Sequence, residues 1–527
     1  MGRVGFFIGV LFLFSCGAEY DNSDLSIFKY NESNGIATLD PAFAKDKATI
    51  WATSQIFSSL VKMDKNLNVV PSVSKSWTLS DDGLVYTFLL RDNVFFHDHQ
   101  LFEESKGRRV VASDFVYSFN RLKSEKLAAP ASWVLNNVRD YYEVNDSVFE
   151  IKLNQKFPAF LSLLSMQYCS VVPFEVADSP NFRSHPIGTG PFKFQFWKEG
   201  VKLVLRKNEN YFEYENDVKL PYLDAVSITF IKDKQSEYLS FLQGNLDFIS
   251  GIDPSYKDDI LDRGGKLKMK HINNINLQSI PFLNTEYLGF LMDSKSDLSK
   301  NIHLRKSINY AINKEKMLKY LRNNIGVPAN NGFVPMGLNS FSDSVIGYSY
   351  NLEKAKYHLL KAGFPDGENL ETIVLSTTSS YLDLCEFIQS ELKEIGINLK
   401  IEVNPPSTHR EMVATSKLSF FRGSWIADYP DAENYLSLFY SKNFCPNGPN
   451  YTHFNNSEFD KVYEKSILET DVDKRRLLYQ KLDQIIMDNA IIVPLYYDQV
   501  LRFSHKNIID FYFNAQNNLD LSKVIIE

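Results

Sequence analysis

The chain has 527 residues, of which 57 are Lys or Arg and 64 are Asp or Glu, for a formal net charge of −7. At roughly 150 residues per domain this length makes about three domains. With 44% hydrophobic and 23% charged residues the composition is that of a globular chain and not of a disordered one. The acidic balance argues against nucleic acid as the main partner, since phosphate binding calls for clustered Lys and Arg. No apolar run reaches the about 18 residues a membrane-spanning helix needs, which excludes an integral channel or permease. The 28 Tyr and 40 Phe suit a ligand held between large side chains, and equally suit large cores.

In chain order the first feature is Met1-Gly2-Arg3, an apolar run from Val4 to Phe14, and Ser15-Cys16. A short basic start, an apolar stretch and a small residue before a cut site make an export signal that takes no part in the fold. The string LFSC, Leu13 to Cys16, resembles the bacterial lipoprotein box, which implies a signal peptide over 1–16 and lipidation of Cys16. The single basic residue and the bulky Phe14 depart from that pattern, and an ordinary secretory signal cut nearby is the alternative. The polar segment that follows reads as a tether. Cys169, Cys385 and Cys445 lie far apart, with no CxxC pair and no zinc-type spacing. Three such residues cannot all pair with one another, so at least one is expected as a free, buried thiol.

Strand-like and helical segments then alternate, without repeats, heptads or low-complexity tracts. Leu84 to Asp98 is rich in β-branched and aromatic residues and follows the turn Asp81-Asp82-Gly83, as a hairpin does. Residues 201–212 begin as an alternating strand and run into a polar turn. From Asn351 to Phe364, Ala355, Leu359, Leu360 and Ala362 recur near helical spacing, and Gly363 with Pro365 supplies a stop. Residues 457–469 and 471–489 are two further amphipathic helices with acidic starts. The pattern is α/β in more than one domain.

No catalytic motif is present: no HExxH, GxSxG, GxxxxGK[ST] or EF-hand loop. Gly188 to Phe192, GTGPF, lacks what a phosphate cradle requires next and reads as a turn where backbones pass closely. His97 and His99 flank Asp98 without a third ligand nearby, so a polar hairpin turn is expected there in place of a metal site. Asp81 and Asp82 lie in a turn that offers no reason for a raised pKa. This is a binding protein's sequence more than an enzyme's.

Several strings, in order, resemble the extracytoplasmic solute-binding proteins of peptide- and nickel-type ABC importers, bacterial family 5. The first is LDPAFAKDKATIWATSQIFSSLVKMDKNLNVVPSVSKSWTLSDDGLVYTFLLRDNVFFHD, continued by VVASDFVYSFNRL; within it Ser74 stands for the usual Ala and His99 for the usual Gly, and Glu103 to Arg109 is an insertion. PIGTGPFKFQFWKEGVKLVLRKNENYF with LQGNLDFI is the second. LRKSINYAINKEKML follows, with Asn313 for the common Asp, and then KAKYHLLKAGFPDG, SWIADYPDAENYLSLFYSKN, SEFDKVYEKS and AIIVPLYY.

The resemblance implies a two-lobed, hinged periplasmic-binding-protein fold of three domains. A discontinuous lobe I would comprise 17–56, 179–280 and 496–527, an inserted domain II 57–178, and lobe III 281–495. Two crossings, near residues 280 and 495, would form the hinge. It also implies a protein that is not an enzyme: a monomer with no cofactor and no metal, anchored outside the cytoplasm by the N-terminal lipid alone. It would deliver short peptides to the permease and ATPase subunits of an importer. The alternatives on the same fold are another solute (a nickel chelate, haem or an oligosaccharide) and a peptide sensor.

Main-chain groups are what all peptides share, so an extended ligand would add to a strand edge and its charged ends would need counter-charges. By the resemblance, Asp428 in ADY takes the ligand's ammonium, and Gly423, Ser424, Trp425 and Ile426 form the strand that pairs with it. Arg422 is the basic residue that can meet a ligand's carboxyl end. Ala44, Lys45, Asp46 and Lys47 supply backbone from the facing lobe. By composition alone Asp428 would be a turn carboxylate, Arg422 a surface ion pair and Trp425 a core residue.

Overall fold

The computed structural model describes residues 25–527; the leader and Cys16 lie outside them. One large sheet carries both halves of the molecule. Its strands lie in the order Leu399–Val403, Ile373–Thr377, Phe420–Ile426, Ile275–Phe290, Ile492–His505, Phe248–Ser250, Ile27–Asn31, Ala225–Thr229, Lys202–Lys207 and Phe192–Lys198, and Val327–Pro328 pairs with Ile492–His505.

Ile275–Phe290 and Ile492–His505 are the long members, antiparallel from the Ile275↔His505 pair to Gly289↔Ile492. Their register breaks between Pro281 and Thr285 and again between Glu286 and Tyr287. Pro281 has no N–H to give a ladder, and a register break lets a strand bend and twist. The strand Phe248–Ser250 pairs on one side of the first break, and Phe420–Ile426 pairs from Asn284 onward, across the second.

The buried apolar side chains divide at the same place. The clusters around Trp51, Phe88 and Phe115 and around Phe241 and Phe503 draw on the chain up to Ile275 and from Leu501 onward, with Tyr429 their one member from elsewhere among the described residues. The other two clusters draw on Leu283 to Tyr496. Two lobes joined by two strands form a connection that a hinge can use.

A separate antiparallel sheet of four strands, Ser74–Leu79, Val85–Leu90, Val148–Leu153 and Val138–Asn145, stands on the first lobe. The expected hairpin forms here, and Asp82 Oδ1 accepts the Leu84 N–H at 3.1 Å in its turn. It ends at Leu90, however. Beyond that point the Arg91 N–H still reaches the Val73 carbonyl, and an isolated bridge joins Phe95 to Arg109.

The strings that carried the resemblance lock into one another. Asp40 of LDP accepts both guanidinium nitrogens of Arg121 from the helix Ala112–Lys123, at 3.0 and 2.6 Å, with both side chains buried. In GTGPF, a Cβ on Gly188 would sit 2.1 Å from the Ile56 carbonyl oxygen, so this is indeed a turn where two backbones pass closely. His97 corrects an expectation: it is buried and not part of a polar turn. Its Nε2 hydrogen-bonds the Gly190 carbonyl at 3.1 Å, while Asp98 and His99 alone keep the turn's polar character. The reason is that the backbone of the glycine turn needs a partner that reaches across, and the ring supplies it.

The three expected helices are Leu352–Lys361, Ser457–Ser466 and Val472–Asp488, capped by Asn351, Asn456 and Asp471. Ala355 and Leu359 are buried, whereas Leu360 falls off that face and is 58% exposed. Near the C-terminus, the fully buried Arg502 donates to the carbonyls of Asn517 and Asn518 at 3.2 and 2.7 Å. The returning tail is thereby held on the first lobe. Cys169, Cys385 and Cys445 are all free and buried.

Candidate ligand-binding site

The strand Phe420–Ile426 is built to offer an edge. One side pairs with Ile275–Phe290 along its whole length, from Phe290↔Phe420 to Asn284↔Ile426. The other side meets Ile373–Thr377 at one pair only, Ser376↔Phe421. From Gly423 to Ile426, therefore, no second strand pairs with it among the described residues. Unpaired N–H and C=O groups on such an edge are a template for one more strand. Gly423 is required where it stands: a Cβ there would lie 2.8 Å from the Tyr287 ring, which packs beneath.

Side chains alternate across this strand. Trp425 packs against the second-lobe core, and its Nε1 donates to Asn434 Oδ1 at 2.9 Å. Ile426, on the other face, is exposed. Asp428 lies just past the strand, and its backbone N–H donates to the same Asn434 oxygen at 3.2 Å. The Asp428 side chain is open to solvent. Even so, desolvation by the protein around it holds its carboxyl above the usual carboxylate range, against the lowering effect of Asn434. Being accessible and enclosed together is what a cleft wall provides and a convex surface does not.

Arg422 sits differently from the free cation expected to meet a ligand's carboxyl end, or the surface ion pair that was its alternative. It is 8% exposed, its guanidinium hydrogen-bonds the buried Glu286, and it stacks over the Tyr381 ring. Residue 422 shares the face of Ile426, and it is buried there because Glu286 and the Tyr381 ring cover it; a buried cation needs a counter-ion. Asn284 Nδ2 extends this cluster by donating to Glu286 at 3.1 Å and to Asp498 at 3.2 Å. Burial raises the carboxyls of both Glu286 and Asp498. The cluster lies where the two long strands break register, directly behind the open edge.

The segment after LDP, expected to supply backbone from the facing lobe, lies on the first lobe. Ala44 is buried. Lys45 is exposed, and so is Asp46, which caps the helix Lys47–Ile56 by accepting the Thr49 N–H at 3.0 Å. Lys47 is engaged by the fold, 3.4 Å from Glu32 and 4.3 Å over the Trp51 ring. Tyr168 comes from a short turn packed against Pro41–Phe43. Burial pushes its hydroxyl up to about 12, and the charges of Asp428 and Asp46 act in the same direction. Two carboxylates, one from each lobe, are thus within electrostatic reach of one tyrosine. Next to Asp428, Tyr429 packs edge-on against Phe157 of the small domain, with ring centroids 6.4 Å apart.

Asn434, Tyr168, Glu286 and Asp498 were not legible beforehand. Asn434 lies within the string SWIADYPDAENYLSLFYSKN, six residues after Asp428, with no local signal of its function as an anchor. The other three are brought in by tertiary contacts that leave no local trace. Among the described residues, no group of three or more His, Cys, Asp or Glu is arranged to hold a metal ion, and no helix is long and apolar enough to cross a membrane.

Residues 68–444 match the family of bacterial extracellular solute-binding proteins, family 5. The chain is 27% identical over 503 residues to the heme-binding protein A of Haemophilus influenzae, spanning 90% of this chain and 88% of that one. It is 24% identical over 483 residues to the dipeptide-binding protein of Escherichia coli, spanning 87% and 86%. Among solved structures it resembles HbpA2 from Haemophilus parasuis with a TM-score of 0.82 at 23% identity, covering 95% of this chain and 100% of that one. It also resembles DppA from Helicobacter pylori in complex with the peptide STSA, with a TM-score of 0.76 at 24% identity, covering 95% and 98%. The chain belongs to family 5 of the bacterial extracellular solute-binding proteins, the non-catalytic, substrate-binding components of ABC importers.

Proposed function

We propose that this family 5 chain captures short peptides between its two lobes and hands them to the permease and ATPase subunits of an ABC importer. The observation that carries this reading is the unpaired edge from Gly423 to Ile426, which leads into the enclosed carboxylate of Asp428. An extended peptide would add to that edge by main-chain hydrogen bonds, indifferent to its sequence. Its ammonium would meet Asp428, with Trp425 holding the wall upright. Lys45 and Asp46 would close on it from the other lobe. Arg422 would act from behind the strand, through Glu286, and not as a contact to the ligand.

The domain division proposed with it is 17–56, 179–280 and 496–527 for lobe I, 57–178 for the inserted domain and 281–495 for lobe III. Support for the cuts near residues 280 and 495 comes from the register break after Pro281 and from core clusters that change membership between Ile275 and Leu283 and between Tyr496 and Leu501. Lipidation at Cys16 would tether the monomer to the outer side of a membrane.

The relative named for haem, at 27% identity, keeps a second cargo in view on the same fold. Native mass spectrometry of protein lacking residues 1–16 separates the two, with a spread of short-peptide masses expected. Calorimetry then tests the site. Asp428→Asn should weaken peptide binding by about 2–5 kcal/mol, as for a buried charge pair that loses one partner, and N-acetylated peptides should bind the wild type poorly. Equal affinity for free and acetylated peptides refutes the ammonium role, and a single nonpeptide mass refutes the peptide cargo.

A further inference from the structure

Four side chains from three separate stretches of the second lobe converge outside the strand edge. Cys445 Sγ lies 3.2 Å from His453 Nε2. Ser416 Oγ lies 3.1 Å from the same sulfur and 3.0 Å from the same ring nitrogen. On the opposite side of the ring, His453 Nδ1 lies 2.7 Å from Asp293 Oδ2. Phe444 stacks flat on the imidazole, with centroids 4.5 Å apart and planes 4° from parallel.

The arrangement has an order: thiol, base, orienting carboxylate. To donate to Asp293, Nδ1 carries a ring proton, while Nε2 faces the thiol, the Ser416 hydroxyl and, at 3.1 Å, the Cys445 carbonyl oxygen, which can accept the N–H that Nε2 gains on taking the thiol's proton. A metal does not fit this geometry, because the carboxylate and the sulfur sit at opposite ring nitrogens and cannot converge on one ion. The other two thiols lack this surrounding. Burial pushes Cys169 up to about 12 and Cys385 up to about 11, and the Cys169 thiol points to the Leu163 carbonyl at 3.6 Å. Cys445 lies close under the surface: the His453 side chain is 11% exposed and the Asp293 side chain 57%. A reagent of the size of a peroxide needs only the edge of that ring.

We propose that Cys445 is a base-activated thiol and a site of modification by small electrophiles, hydroperoxides first among them. His453 Nε2 takes the thiol proton, and Sγ attacks the terminal oxygen of the hydroperoxide. The S–O bond forms as the O–O bond breaks, and the departing alkoxide or hydroxide takes the proton back from His453. Sulfur is oxidised by two electrons to a sulfenic acid, and the peroxide is reduced to an alcohol or to water. Unpaired thiols are uncommon in exported proteins, and this one is placed to react.

The test uses the full folded chain with limiting iodoacetamide at pH 7, labelling at each cysteine being followed by peptide mass mapping. Cys169 and Cys385 serve as internal references. Cys445 should label about tenfold faster than either, and His453→Gln should remove most of that advantage. At pH 9, where a bare thiol ionises unaided, the gap between the wild type and H453Q should narrow. Hydrogen peroxide followed by dimedone should tag Cys445 in the wild type and nothing at that position in C445S. A Cys445 rate no greater than those of Cys169 and Cys385, or one unchanged in a folded H453Q, overturns the proposal. Should H453Q fail to fold, the exposed Asp293→Asn decides: slower labelling supports the proposal and an unchanged rate overturns it.

Discussion

Trp425 Nε1 donates to Asn434 Oδ1 across 2.9 Å, and through that one oxygen the side chain in the open strand is tied to the loop that carries Asp428. Asn434 is 5% exposed and belongs to neither the strand nor the turn. It makes the two move as one body, so the edge and the carboxylate at its end keep a fixed relation while the lobes hinge. Pre-organisation of this kind lowers the cost of ordering a site on binding.

Asn434→Ala should therefore separate geometry from charge. Losing two hydrogen bonds to a buried acceptor should cost about 1–3 kcal/mol of stability, read from urea unfolding. Peptide affinity should fall while the preference for a free over an acetylated N-terminus survives, because the Asp428 carboxylate is still present. Loss of that preference together with the affinity would show that the ammonium is not held at Asp428.

The Arg422–Glu286 pair is buried on both sides, and breaking it leaves a charge without a partner. Arg422→Met should destabilise the fold by about 3–5 kcal/mol. Adding Glu286→Gln removes the stranded carboxylate and should restore a large part of that loss, a coupling that a double-mutant cycle in denaturant measures directly. Additive losses would place Arg422's partner elsewhere.

His97 should make stability depend on acid. Burial pushes its imidazole down to about 4, so the folded state holds it neutral while the unfolded chain takes up a proton near 6.5. The unfolded state binds more protons between those values, so stability is complete above about pH 6.5 and falls as pH drops towards 4. The shift corresponds to about 3 kcal/mol. The stability gap between wild type and His97→Asn should shrink by about 2–3 kcal/mol from pH 7 to pH 4. A gap that does not change with pH would mean the ring is not held neutral by the fold.

Two glycines should respond to alanine for different reasons. At Gly188 a Cβ would lie 2.1 Å from the Ile56 carbonyl oxygen and 2.8 Å from the Phe57 ring, so Gly188→Ala should cost about 3 kcal/mol or more. At Gly200 nothing lies within 4 Å, but φ is +69°, and Gly200→Ala should cost only about 1 kcal/mol of backbone strain. Thermal melts of the pair check the ranking.

Local chemistry was enough to read much of this molecule. The helix Leu352–Lys361 has its cap at Asn351 and its stop at Gly363 written within a few residues. The turn at Asp82 and the strand Lys202–Lys207 are equally local, and the absence of catalytic spacing already pointed to binding. Ordered strings from LDP to the C-terminal strand identified the family, and residues within them, such as Asp40 with Arg121, interlock in the fold.

Other features depend on where distant segments meet. No neighbour in the sequence pairs Arg422 with Glu286, buries His97 against Gly190, or brings Tyr168 within electrostatic reach of both Asp46 and Asp428. Nor does any spacing rule announce that Asp293, Ser416, Cys445 and His453 share one place. Period and capping are properties of a few consecutive residues, whereas burial, ion pairing and proton affinity are set by what the folded chain brings alongside.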